Sequence, residues 1–183
     1  AEEAWNQLLI NYPTDDATIV AFMRLADVTA EKADLAGALN YLEQIVTQFP
    51  GSPKIPAVML RQGELLSEMG RADEAREKYQ YILRVPEWRG ILHARALYQI
   101  GESYMAEDAY AKAHGFYERT FLGYPHLAEW SARAYLADAK ALVGMGEKQD
   151  AINTLNEAVA EISATAPADI LKSIKAKLKE LQG

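Results

Sequence analysis

Apolar residues recur at steps of three and four along almost the whole chain, the spacing that gathers them on one face of an α-helix. Around Ala38 they are Phe22, Leu25, Leu42 and Ile45; around Ala75, Val58, Met59, Leu60, Leu66, Tyr79 and Ile82. Around Ala113 they are Leu97, Ile100, Tyr104 and Tyr117; around Ala151, Tyr135, Leu142, Leu155 and Ala158. A short polar or glycine-containing break splits each stretch into two helices. Gly70 and Gly146 suit the left-handed residue just past a helix end. Pro13, Pro50, Pro86, Pro125 and Pro167 close successive stretches, because proline cannot continue a helix interior. The pattern predicts an all-α chain with helices over 1–12, 15–31, 35–48, 54–69, 72–85, 89–106, 109–123, 127–144, 147–164 and 168–181. Thr14-Asp15-Asp16 and Ser52-Pro53 read as helix starts.

The four alanines lie 37, 38 and 38 residues apart. A fixed period of this size marks a repeat architecture. Ala26, Gly63, Gly101 and Ala139 share one place in the first helix of each unit, as the four alanines do in the second. Small side chains at matched positions let paired antiparallel helices approach closely, while large residues one turn away fill the next layer. The last helix carries an apolar stripe of Ile170, Leu171, Ile174, Leu178 and Leu181 among Lys172, Lys175, Lys177 and Lys179. It reads either as a cap on the array or as a detachable amphipathic helix for a partner or an acidic membrane surface.

Leu97-Tyr98-Gln99-Ile100-Gly101-Glu102-Ser103-Tyr104, followed by Tyr110, Ala113, Phe116-Tyr117 and Gly123-Tyr124-Pro125, resembles a tetratricopeptide repeat. Asn11-Tyr12-Pro13 matches Gln48-Phe49-Pro50 and Gly123-Tyr124-Pro125, so the first residues read as a second helix without its first. The resemblance implies a right-handed α-solenoid of antiparallel helix pairs, a single array with about four and a half repeats. Its parts are a half repeat over 1–13, repeats over 15–50, 53–86, 89–125 and 127–166, and a capping helix over 167–183.

In that family the first helices line a concave groove. The residues expected to point into it are Met23, Leu60, Tyr98 and Leu136, again 37, 38 and 38 apart. One turn further come Asp27, Glu64, Glu102 and Lys140; three residues before the ladder come Val20, Ala57, Arg95 and Arg133. The expected groove is apolar along its spine, acidic toward its N-terminal end and basic near Arg95, Arg133 and Lys140. The candidate partner-binding residues are therefore Met23, Leu60, Tyr98, Leu136, Arg95, Glu102, Arg133 and Lys140. The plainer alternative is half-buried packing, with Arg133 paired to Glu102. The Lys and Asn pattern that clamps a peptide carboxylate in some members is absent from these positions.

Composition narrows the function classes. A formal charge of −7 argues against nucleic acid, which demands clustered Lys and Arg. No apolar run approaches a membrane span. The absence of cysteine excludes disulfides, thiol catalysis and cysteine-bound metal. His93, His114 and His126 include no pair one helical turn apart, so they read as surface or packing residues and no metal is expected. Ser103 and Ser131 lack the flanking pattern of a nucleophile elbow, and no glycine-rich phosphate loop occurs. Glu2-Glu3, Asp15-Asp16 and Asp73-Glu74 fall at helix starts, where carboxylates favour the helix dipole. Neither catalysis nor a cofactor is expected.

The function expected is a non-catalytic scaffold that holds a peptide or partner protein. The aromatic-Pro unit ends and Tyr98 to Tyr104 look like repeats of bacterial cell-envelope proteins, of the Tol-Pal-associated and outer-membrane-assembly lipoprotein type. That resemblance implies a periplasmic or envelope-associated setting. A cytosolic regulatory module attached to an effector domain and a homo-oligomerisation arm are the alternatives. The opening Ala1-Glu2-Glu3-Ala4-Trp5 is neither an initiator Met nor a signal peptide, so a fragment or mature form is expected. Residues 1–12, with Trp5, Leu8 and Leu9, are expected to self-associate for want of a covering helix.

Overall fold

The structure, a computed structural model, describes residues 2–11 and 16–183, without the side chains of residues 2, 6, 8, 9 and 16. The unit end at Tyr12-Pro13, the helix start at Thr14-Asp15 and the side chains of Leu8 and Leu9 lie outside the described residues. The helices are α1 (Glu2–Asn11), α2 (Asp16–Glu31), α3 (Leu35–Gln48), α4 (Ile55–Glu68), α5 (Ala72–Arg84), α6 (Ile91–Met105), α7 (Tyr110–Gly123), α8 (Ala128–Gly144), α9 (Lys148–Ile162) and α10 (Ala168–Gln182). Each falls where the apolar period places one, and no strand occurs among the described residues. A 3-10 turn, Pro86–Trp88, adds to the expected elements.

The turns within the helix pairs are built alike. Ala33, Gly70, Asp108 and Gly146 all have positive φ, at 64°, 74°, 54° and 83°. In each, the following residue's N–H reaches a carbonyl five positions back: Asp34 to Thr29, Arg71 to Leu66, Ala109 to Tyr104 and Glu147 to Leu142, at 2.8–3.1 Å. These are Schellman ends, which satisfy the last free carbonyls of the first helix. Glycine adopts this conformation freely; Ala33 and Asp108 do so at about 1–2 kcal/mol each. Ser52 departs from expectation. Its hydroxyl accepts from the Lys54 N–H at 3.2 Å, so it holds the preceding turn, and α4 starts at Ile55 with Pro56 in its first turn and no side-chain cap.

The chain forms two compact units, residues 1–85 and 86–183. In the first, α2 packs on α3 and α4 on α5, with α1 against α2. Trp5 on α1 is half-buried and Ile10 is 71% exposed. Its core includes Ile19, Phe22, Leu25, Leu42, Ile45, Val58, Leu65, Tyr79 and Ile82. In the second, α6 packs on α7 and α8 on α9, and α7 packs on α8. Phe121 and Tyr135 stack across that joint with centroids 4.0 Å apart. Helix α10 places Ile170, Ile174 and Leu181 in the same core, leaving Lys172, Lys175 and Lys179 exposed. The apolar stripe of the last helix thus caps unit 2.

The small residues sit where paired helices meet. A methyl group on Gly63 would lie 2.4 Å from the Tyr79 ring, and one on Gly101 would lie 2.5 Å from the Tyr117 ring. Both rings are fully buried. The partner position lies 16 residues on in every repeat, and it holds Leu where the first helix has Ala: Ala26 with Leu42 and Ala139 with Leu155. Glycine thus accompanies tyrosine, and alanine accompanies leucine.

One buried polar contact spans α7 and α8. Asp138 is 1% exposed, and its Oδ1 lies 2.6 Å from His114 Nδ1. Its Oδ2 is buried without a hydrogen-bond partner. Glu118 lies 3.5 Å from the other nitrogen of His114. His114 is therefore part of an inter-helix contact, which no spacing within one helix could reveal. Burial pushes the Asp138 carboxyl up to about 6, against the opposing pull of His114.

Two outcomes follow. Gly101→Leu should cost about 1–3 kcal/mol through overpacking. In a double-mutant cycle of Gly101→Ala with Tyr117→Leu, the pair should be more stable than the sum of single effects predicts, by about 1 kcal/mol. Additive effects in denaturant melts would show that the glycine and the ring do not share the space. The second outcome is a pH effect. Since the native state holds the Asp138 proton more tightly than the unfolded state, this group's stabilisation is present below pH 4 and is lost as pH rises through about 6. The melting temperature of the parent relative to Asp138→Asn should therefore be higher at pH 5 than at pH 7.5. An unchanged difference between the two would contradict the burial argument.

Candidate partner-binding site

Five of the expected groove residues come together in unit 2. Tyr98 and Glu102 are one turn apart on α6; Arg133, Leu136 and Lys140 follow at three- and four-residue steps on α8, and such steps share a helix face. They line one cavity of about 410 Å³, closed further by Met105 and Tyr117 and by Asp169, Ile170 and Ser173 of α10. The volume lies in the range of pockets that hold a few side chains or a small ligand.

The polar groups here are held by identifiable partners. The Tyr117 hydroxyl donates to Glu102 Oε1 at 2.6 Å, from a ring wholly inside the core. Burial first, and the Glu102 charge second, push the Tyr98 and Tyr117 phenols far above the usual tyrosine range, so both stay protonated as donors. Arg133 pairs with Glu129 one turn back, at 2.9 Å, rather than with Glu102. Its guanidinium also lies 5.6 Å from the Trp130 ring, and that of Arg95 lies 5.4 Å from the same ring. Tyr98 meets Trp130 edge-on, with centroids 5.7 Å apart. Such cation–ring contacts contribute about 0.5–1 kcal/mol each when exposed. Arg95 thus stands on Trp130, outside the cavity lining. Lys140 is exposed and has no acidic partner among the described residues.

Sequence reasoning missed Trp130, Tyr117 and the α10 side of the cavity. Trp130 lies three residues before Arg133 on the same helix, a spacing that was available to find it. Nothing in the repeat period could place Asp169, Ile170 and Ser173, because α10 stands outside the repeat.

The unit 1 residues behave differently. Met23 is half-buried, but Leu60 is only 2% exposed and belongs to the core, a correction to the expected ladder. The half-buried place on α4 goes to Met59 instead. Arg61 lies across this face, 3.4 Å from Asp27 on α2 and 3.4 and 3.7 Å from Glu64 and Glu68 on α4. The expected acidic end is therefore partly neutralised by a bridge between neighbouring first helices.

No group of three metal-ligating side chains occurs among the described residues, and none of their helices is long and apolar enough to cross a membrane.

A family model for the tetratricopeptide repeat matches residues 20–52 and 57–85. No curated protein matches the chain in sequence. Among solved structures the chain is similar to MamA, at 19% identity over 88% of this chain and 80% of that one, with a TM-score of 0.67. It is similar to BtubC from P. vanneervenii, at 16% identity over 98% and 78% of the two chains, with a TM-score of 0.76. It is also similar to PilW, a widely conserved type IV pilus biogenesis factor, at 14% identity over 96% and 74%, with a TM-score of 0.70. At these identities the likeness is one of fold. The repeated Schellman turns, the matched small residues and the two matched segments together make this an all-α chain with the fold of the tetratricopeptide-repeat solenoids, its repeats recognisable by sequence in residues 20–52 and 57–85.

Proposed function

We propose that this chain is a non-catalytic scaffold that holds a peptide segment of a partner protein in the cavity between α6, α8 and α10. Tetratricopeptide repeats in general serve protein–protein interaction. The observation that carries the reading is the convergence of Tyr98, Leu136 and Ile170 with Arg133, Lys140 and Glu102 on one 410 Å³ cavity. Apolar anchors beside charged groups are the usual make-up of interface hot spots. The envelope setting implied by the sequence resemblance belongs to the same proposal. A pilus biogenesis factor among the similar folds is compatible with it.

Tyr98→Ala and Arg133→Glu should each weaken partner capture by about 2 kcal/mol or more while leaving the fold intact. Circular dichroism checks the fold, and pull-down from the native organism checks capture. Retention of the full set of partners by both variants would refute the site. Fractionation of cells carrying the tagged protein should find it with the envelope; a wholly cytosolic distribution would remove that part of the proposal.

A further inference from the structure

A second concavity of unit 2 lies on a separate face of α6. It measures about 870 Å³ and is formed by the start of α6, the C-terminal half of α7 and the turn after it. Leu97 and Tyr124 form its buried floor. Leu122 stands at its edge 64% exposed, and Ile91, next to the lining residue Gly90, is 53% exposed. Large apolar side chains this open to water, gathered at one concavity, mark interaction surfaces more often than chance exposure does.

The charges give the partner's character. Arg89 and Arg119 line the concavity, are exposed and have no acidic partner among the described residues. Arg119 is steadied by the Phe116 ring, 5.0 Å from its guanidinium. His126 lies at the same edge. The single carboxylate there, Glu118, is 3.5 Å from His114 Nε2 and so is directed at α7 itself. A surplus of positive charge around apolar side chains, on a chain whose net charge is −7, is local and specific. It complements a segment that presents acidic and apolar residues together.

We propose that this concavity docks an acidic amphipathic segment of a second partner, with its apolar residues on Leu97, Leu122 and Tyr124 and its carboxylates on Arg89 and Arg119. An anionic lipid surface is the competing occupant, and the vesicle arm of the test separates it from the acidic segment. The two cavities share no lining residue, so unit 2 can hold one partner on each.

The test uses the full chain labelled with nitrogen-15. The probe is a capped twelve-residue peptide of Leu and Glu, with Leu at helical three- and four-residue steps. Its twin, with Lys for every Glu, and phosphatidylglycerol vesicles serve as comparisons. The Glu peptide should shift the amide signals of Gly90 and Gly123, which line the concavity, and leave those of Leu136 and Lys140 unmoved. Arg89→Glu with Arg119→Glu should weaken it by about tenfold and reverse the preference toward the Lys peptide. Leu122→Ala, at an exposed position, should weaken both peptides without altering the circular dichroism. Equal binding of the Glu and Lys peptides, absence of shifts at Gly90 and Gly123, or a response there to vesicles but not to the Glu peptide would each overturn the proposal. None of these results bears on the Tyr98 cavity, whose own variants decide that reading.

Discussion

The close contact between the two helices of a pair governs most of what this molecule is. Where Gly63 and Gly101 stand, a single methyl group would enter a buried tyrosine ring. That absence of a side chain lets Tyr79 and Tyr117 lie inside the pair, fully covered. Interiors packed at crystal-like density do not absorb added volume cheaply. The pairs with alanine at the same place carry leucine opposite, so the summed volume is divided differently between the helices while the offset of 16 residues stays constant.

This contact also ties the core to the candidate site. Because α7 lies close against Gly101, the Tyr117 hydroxyl emerges beside α6 and meets Glu102 at 2.6 Å. A carboxylate of the cavity is therefore oriented by a residue from the centre of the fold. Sites built on such supported side chains keep their geometry better than sites on loops. The buried Asp138–His114 contact is the opposite case: a carboxylate with one oxygen unpaired, held by the packing around it despite a raised proton affinity.

The two units use charge differently. In unit 1, Arg61 draws Asp27, Glu64 and Glu68 together, and these charges are paired within a concavity lined by Arg61, Asp27 and Glu68. In unit 2, two guanidiniums gather at Trp130, and Lys140, Arg89 and Arg119 remain without acidic partners among the described residues. Surface pairs of the first kind contribute little to stability, about 0–1 kcal/mol. Their consequence here is to pair the charges that line that concavity, whereas the arginines and the lysine at the two candidate faces of residues 86–183 have no acidic partner of that kind among the described residues or stand on Trp130.

The ten helices of the described residues, their pairing and the positions of closest approach were legible in the chain. Helical period, proline and small-residue recurrence are local, and each repeat restates them. The shared turn was half legible: Gly70 and Gly146 announce it, while Ala33 and Asp108 adopt the same positive φ only because two packed helices demand it. The period put Tyr98, Glu102, Arg133, Leu136 and Lys140 at matched places, and the family resemblance, not the period, marked their face as a groove; in the structure these five line one cavity. Tertiary structure decided the rest. Leu60 is buried, Trp130 collects two arginines, His114 finds Asp138, and α10 supplies one wall of the cavity. Each of these depends on which side chain of another helix arrives at a given point, and a period measures spacing along one helix without recording what faces it.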